Sequence, residues 1–243
     1  MKLVIFGGST AAGFGVKDSS FAAQIAGRLE LEFTNLAGSS ALVSDSLAWI
    51  DEARGAELVI VMHGSGEALV RPTERSLRWM PPRWRRRGWM DPRPYFSSNA
   101  RRRLPQRAES AIRWRAKVAL IKLTGGECIM PLDEYERLTR EFARGLKTAG
   151  AQTVVFVGSS GMDARYFPKS ADDIERYDAV TRAIAHDEGA LFIDILDTCA
   201  RWDDYFGDHL HPTVSGHTGL ADRILDELEA AGRLPAGRPA NAA

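Results

Sequence analysis

Strands and helices that alternate along the chain predict an α/β fold, a three-layer αβα sandwich around a central parallel sheet of about five strands. Two observations carry this. The strand candidates are short, nearly unbroken apolar runs such as Leu3-Val4-Ile5-Phe6 and Leu58-Val59-Ile60-Val61, as expected of parallel strands buried on both faces. Between the later runs lie longer stretches with apolar residues at helical spacing. The chain has 243 residues, 44% of them hydrophobic and 26% charged, enough for one large domain with a sizeable core.

The elements follow in order. Leu3 to Phe6 is the first strand, closed by Gly7-Gly8. Ser20 to Leu29 reads as a helix with Phe21, Ile25 and Leu29 on one face. Leu31 to Leu36 is the second strand, Ser44 to Ala53 a helix, and Glu57 to Met62 the third strand. Thr153 to Val157 and Ala190 to Ile195 are the fourth and fifth strands, preceded by helices at Leu132 to Thr148 and Ala171 to Glu188. A last helix spans about Val214 to Ala231. The expected organisation is a single domain over residues 1–232 with a flexible Pro-, Gly- and Ala-rich tail over 233–243.

Composition narrows the function classes. The formal net charge is zero, so the whole chain does not point to nucleic acid. Cys128 and Cys199 are too few for a disulfide framework and read as reduced thiols. Met1-Lys2 leads directly into a short apolar strand, not the longer apolar stretch of an export signal. No apolar run approaches a membrane span. The expected compartment is the cytoplasm.

The chemistry-bearing residues sit at the two ends. Gly7-Gly8-Ser9 follows the first strand, and Asp208-His209-Leu210-His211-Pro212 precedes the last helix. A serine hydroxyl needs an adjacent base to act as a nucleophile at neutral pH. Histidine suits that role, and a carboxylate then fixes its tautomer and stabilises the imidazolium. One tight turn can bring Asp208 to His211; Ser9 must reach them through the fold. Bland alternatives exist: Ser9 as a helix cap, and Asp208 and His211 as a polar loop. In open α/β sheets, sites form at the carboxyl ends of the strands. Ser9, the Gly38–Ser40 loop and the Gly64–Glu67 loop all follow strands and open on that edge.

These residues resemble the motif blocks of the SGNH/GDSL hydrolase superfamily, over residues 1–66 and about 150–230. The family's Gly-Asp-Ser is here Gly7-Gly8-Ser9, and its Asp-x-x-His-Pro is matched in full by Asp208 to Pro212. The resemblance implies a flavodoxin-like hydrolase fold, with Ser9 as nucleophile, His211 as base and Asp208 as its orienter. It also implies an oxyanion hole built from the backbone N–H groups of Ser9 and of Gly38 or Ser40. The third block departs. Gly64-Ser65-Gly66-Glu67 stands where the family has Gly-x-Asn-Asp, so Gly66 replaces an Asn side-chain donor. Losing such a donor typically costs about 10²–10³ in turnover. His63 and Arg71 flank the loop and are candidates to replace it in binding substrate.

Residues 71–117 are a basic, Trp-rich insertion. They hold fifteen Arg or Lys against Glu74, Asp91 and Glu109, a net of +12, so the rest of the chain carries −12. Trp79, Trp84, Trp89 and Trp114 fall here. Five prolines make its first half irregular, whereas Leu104 to Leu123 reads as a helix with Ala111, Trp114 and Val118 on one face. One reading is a solvated lid paired with the acidic body. Another is a lid that recognises an anionic substrate through Arg and Trp. A third is attachment to an anionic membrane surface. No nucleic-acid recognition motif accompanies the charge. Metal ligation by His63, Glu67, His209, His211 and His217 lacks a metal-site spacing, and no cofactor or metal is expected.

The functional expectation is a serine-dependent esterase removing an O-acyl group from a small-molecule, carbohydrate or lipid ester with a polar or anionic carrier. Acyl transfer by the same triad, or a weakened binding or scaffold protein on this fold, are the alternatives.

Overall fold

The computed structural model describes residues 1–86, 88–199 and 201–235. A five-stranded, all-parallel sheet forms the centre, with strands β1 (Lys2–Gly7), β2 (Glu32–Asn35), β3 (Leu58–Met62), β6 (Thr153–Val157) and β7 (Leu191–Ile193). Their order across the sheet is β2-β1-β3-β6-β7. A small antiparallel pair, β4 (Val70–Pro72) with β5 (Gly126–Cys128), stands apart from it. The longer helices are α1 (Phe21–Arg28), α4 (Ala100–Thr124), α5 (Leu132–Thr148), α6 (Ser170–Glu188) and α7 (Val214–Ala230), with short α2 (Val43–Ser46) and α3 (Glu74–Leu77).

Alternation along β1 divides the core into two layers. Leu3 and Ile5 pack with Phe21 and Ile25 of α1 and Leu220 and Ile224 of α7. Val4 and Phe6 face the other way, toward Phe142 and Leu146 of α5 and Ile184 of α6. Phe6 and Phe142 meet edge to face with centroids 5.0 Å apart. Each such fully buried side chain contributes about 1.5–3 kcal/mol. The helices start where caps allow: the Ser20 side chain accepts from the Ala23 N–H at 3.3 Å to open α1, and Thr213 caps α7.

The sheet order reverses between β1 and β3: the chain runs out from β1 to β2 on one side, then returns to β3 on the other. The crevice at that switch point lies at the carboxyl ends of these two strands. Ser9 and the Gly64–Glu67 loop leave from there.

Three expectations change. Ser44 to Ala53 is not one helix; α2 tightens into a 3₁₀ segment, Leu47–Ala53. That segment sets Ile50 over Gly145 of α5, where a Cβ would lie only 2.6 Å from the Ile50 Cδ1. The second helix of the insertion begins earlier than Leu104, because Asn99 caps it by accepting from the Arg101 N–H at 3.0 Å, and it carries Pro105 in its second turn. Its buried stripe is Ser110, Arg113, Lys117 and Ile121; Ala111, Trp114 and Val118 are only partly covered. The hydrophobic pattern reveals the helix but not the face it buries, because that face carries basic side chains. The expected flexible tail falls largely on residues 236–243, outside the described residues. Among the described residues, no helix is long and apolar enough to cross a membrane.

Candidate active site

The turn after β1 is built for close approach. Gly7 has φ +152°, and a Cβ there would lie 2.5 Å from the Met62 carbonyl oxygen of the neighbouring strand. Glycine lets the chain cross that carbonyl and turn at once. The Gly8 N–H then donates to Met62 O at 3.2 Å, and Ala12 and Phe14 donate back to Gly8 O and Ser9 O at 3.0 Å. Ser9 sits on this turn.

The second chain end folds back to meet it. Tyr205 and Pro212 form an antiparallel bridge. The Phe206 N–H donates to His211 O at 2.8 Å, and Thr213 N–H to Asp204 O at 2.7 Å. Within this loop the Asp208 Oδ1 accepts from the N–H groups of Leu210 and His211 at 3.1 and 3.2 Å. Its Oδ2 lies 2.7 Å from His211 Nδ1. The other ring nitrogen, Nε2, lies 2.9 Å from Ser9 Oγ. A carboxylate at Nδ1 holds the proton there and leaves Nε2 free to accept from a hydroxyl. Asp208 is only 2% exposed, and the Phe14 ring covers the imidazole at 4.4 Å.

A cleft of about 330 Å³ opens over these residues, lined by Ser9, Ser40, Gly66, Arg71 and His211 among others. Ser40 holds a left-handed backbone, φ +64°, and its N–H has no acceptor in the protein among the described residues. The Ser9 N–H is equally unpaired. Gly38 differs from expectation: its N–H is given to Gly7 O at 3.1 Å, so it ties the second loop to the first and is not presented to the cleft.

His63 also differs. It is 4% exposed and does not line the cleft. Its Nε2 pairs with Ser46 Oγ at 2.9 Å, and its Nδ1 lies 3.3 Å from Glu67 Oε1, off hydrogen-bond alignment. Glu67 accepts from the N–H groups of Val43 and Gly64, both at 2.8 Å. Burial alone would raise its carboxyl pKa, but the His63 contact and these donors outweigh burial and hold it below the ordinary value. The pair braces the third loop from beneath. Gly66 does face the cleft, has no strained φ, and has open space where a Cβ would stand.

Arg71 reaches the cleft but is held: its Nη1 pairs with Asp91 Oδ1. Asp91 also receives Lys117 Nζ at 2.7 Å. Burial would raise the Asp91 carboxyl, but the two cations prevail and hold it far below the usual range. Lys117 is fully buried against the Phe167 ring, 4.1 Å away, and Arg113 stacks on Trp89 at 4.5 Å. The insertion therefore answers its buried basic residues with its own acids, Asp91 and Glu109, and not with the acidic body. It touches the loop that carries Asp208 and His211 directly, through Gly207 N–H to Pro94 O at 2.9 Å.

Asp91, Phe14 and the pair Asp163–His209, 2.7 Å apart, are site features that motif reading passes over. Asp91 had one available signal, as a lone acid among arginines. His217 is buried, and its Nδ1 accepts from the Phe21 N–H at 3.2 Å.

A family model for GDSL-like lipases and acylhydrolases matches residues 5–218. The chain belongs to the GDSL-like lipase/acylhydrolase family and is an ester-hydrolysing enzyme of that class. Several solved structures share its fold. Axe2, an acetylxylan esterase from Geobacillus stearothermophilus, is 19% identical over 93% of each chain with TM-score 0.58. LAE5, an α/β hydrolase enzyme from the metagenome of Lake Arreo, Spain, is 17% identical over 97% of this chain and 96% of its own, with TM-score 0.60. TesA is 15% identical over 95% and 99%, with TM-score 0.58. No curated protein matches the sequence.

Proposed function

We propose that this enzyme hydrolyses an O-acyl ester whose alcohol part is a polar or anionic carrier, with Ser9 as nucleophile. The observation that carries the reading is the hydrogen-bonded chain Ser9 Oγ, His211 Nε2, His211 Nδ1, Asp208 Oδ2, at 2.9 and 2.7 Å. Ser9 Oγ attacks the acyl carbon while Nε2 takes its proton. Asp208 keeps Nδ1 protonated and stabilises the imidazolium. The carbonyl oxygen gains the electron pair and is held by the Ser9 and Ser40 N–H groups. Collapse returns that pair, breaks the bond to the alcohol and hands the alcohol a proton from Nε2. Water then repeats the sequence on the acyl-serine and frees the acid. The Gly38 N–H and the His63 ring take no part.

A polar carrier is supported by Arg71 and Asp91 in the cleft lining, and by serines at positions 39, 40, 65 and 160. Transfer of the acyl group to a second alcohol would use the same residues. Hydrolysis of a short-chain aryl ester tests the assignment. Ser9→Ala and His211→Ala each lower kcat by at least about 10³-fold, with unchanged melting temperatures. Wild-type turnover by Ser9→Ala would remove it. Adding a polyol to the assay separates transfer from hydrolysis, because transfer yields acyl-polyol in place of free acid.

A further inference from the structure

The nucleophile cleft has a neighbour. A second cleft of about 360 Å³ adjoins it across Arg71, Gly88 and Ile129, which line both. Arg85, Arg86 and Trp84 form its outer wall, and Lys117 lies at its base. Its acids, Glu74 and Glu127, are exposed, as are Arg85 and Arg86, and water screens such charges. The covered charges decide the local field. Arg71 and Lys117 share the single carboxylate of Asp91; burial draws the Lys117 ammonium below its ordinary value, so Arg71 carries the firmer positive charge at the junction. Among the described residues, the Arg71 Nε is also buried without a partner. An arginine whose Nη1 is fixed by Asp91 is oriented in advance, and its fork suits a planar or tetrahedral oxyanion.

We propose that the junction of the two clefts is an anion subsite. A carboxylate or phosphate on the alcohol side of the ester docks at Arg71, and the rest of the carrier extends past Trp84 and Arg86. This rests on the ester-hydrolase reading and specifies its substrate class. The acyl group stays with Ser9 in the first cleft, and the charged alcohol departs along the second.

Matched acetate esters test it: 3-carboxyphenyl, 3-phosphooxyphenyl and neutral 3-carbamoylphenyl acetate, each corrected for its rate with hydroxide. At low salt the wild-type enzyme prefers the anionic esters by about tenfold or more in kcat/KM, carried by KM, because a hydrogen bond to a charged group is worth that factor. The preference shrinks as salt rises. Whichever anion gains more identifies the group. Arg71→Gln abolishes the preference, Arg71→Lys keeps part of it, and Arg86→Ser weakens it. Arg101→Ser, a charge-matched change on α4 that lines neither cleft, leaves it intact. If Arg71→Gln does not fold, Arg71→Lys and Arg86→Ser decide by the same ratio.

Equal use of neutral and anionic esters by the wild type would overturn the proposal. So would a preference untouched by the Arg71 and Arg86 changes, or one seen only with the anion on the acyl side. Calorimetric titration of the Ser9→Ala protein separates the two layers of the reading. It binds 3-hydroxybenzoate about tenfold more tightly than 3-hydroxybenzamide. Equal binding would remove the subsite and leave the nucleophile standing. Hydrolysis that survives Ser9→Ala, with the anion preference intact, would do the reverse.

Discussion

Gly66 stands where the motif that this loop resembles has an Asn, and its surroundings make the departure testable. It lines the cleft, carries no left-handed strain, and has no atom within 4 Å of an added Cβ. Gly64 holds the strained conformation of that loop, with φ +110°. Gly66→Asn therefore adds a donor at little cost in stability. Turnover of a small activated ester rises by up to about 10²-fold with an unchanged melting temperature; an unchanged or lower turnover would show that the hole is already complete. At this scale the sequence is readable where chemistry is local. Asp208 and His211 are three residues apart, and one turn brings them together. The roles of Gly38 and His63 are not readable in the same way. Which acceptor takes the Gly38 N–H, and whether a histidine faces the cleft or Ser46, depends on tertiary contacts that adjoining residues do not encode.

Among the elements, the loop between the 3₁₀ turn Trp202–Asp204 and α7 holds a strained residue beside the Asp208–His211 pair. His209 adopts a left-handed backbone, φ +51°, directly after Asp208. It is held by Asp163 at 2.7 Å and stacked on Trp202 at 4.5 Å. Burial would raise the Asp163 carboxyl, but Arg165 and His209 draw it down to about 2. A strained residue persists only where its surroundings hold it. His209→Ala costs about 1–3 kcal/mol of stability and lowers kcat more than it raises KM, because the Asp208–His211 turn loosens. His209→Asn retains more activity, since asparagine tolerates this backbone. Wild-type kcat and melting temperature in His209→Ala would show that the pair does not position the loop. Helix α5 is legible in the sequence because its apolar residues recur at helical spacing, and strand β6 because it is a short, unbroken apolar run. The β4–β5 pair is not: its strands have three residues each and are separated by the length of the insertion and helix α4, too short to show a pattern and too far apart to suggest a hairpin. Helix α4 is legible from Leu104 onward, but its buried face is not, since that stripe carries Arg113 and Lys117.

For the whole molecule, the fold class follows from alternation and all-apolar strands, whereas the charge balance of the insertion is invisible without coordinates. Buried titratable groups set the acid limit of stability. Burial, aided by nearby His211, lowers the His217 imidazole from 6.5 to about 4. The unfolded chain then binds a proton that the native state refuses, so stability falls as pH drops from about 6.5 to 4, by up to about 3 kcal/mol. Asp178 acts oppositely. Burial raises its carboxyl to about 6 against the Ser159 donors, so its contribution is present at low pH and lost as pH rises through 6. Comparing denaturant midpoints of the wild type and His217→Gln from pH 4 to 7 isolates the histidine. The wild type loses more stability on acidification than the variant; parallel curves would contradict the assignment.

All of this depends on an activated Ser9. Fluorophosphonate labelling followed by peptide mass analysis reads that state without knowledge of the substrate. The expected result is a single adduct on the peptide containing Ser9, absent in Ser9→Ala and formed at least about 10³-fold more slowly in His211→Ala. An adduct on another residue, or equal labelling of the wild type and Ser9→Ala, would contradict it.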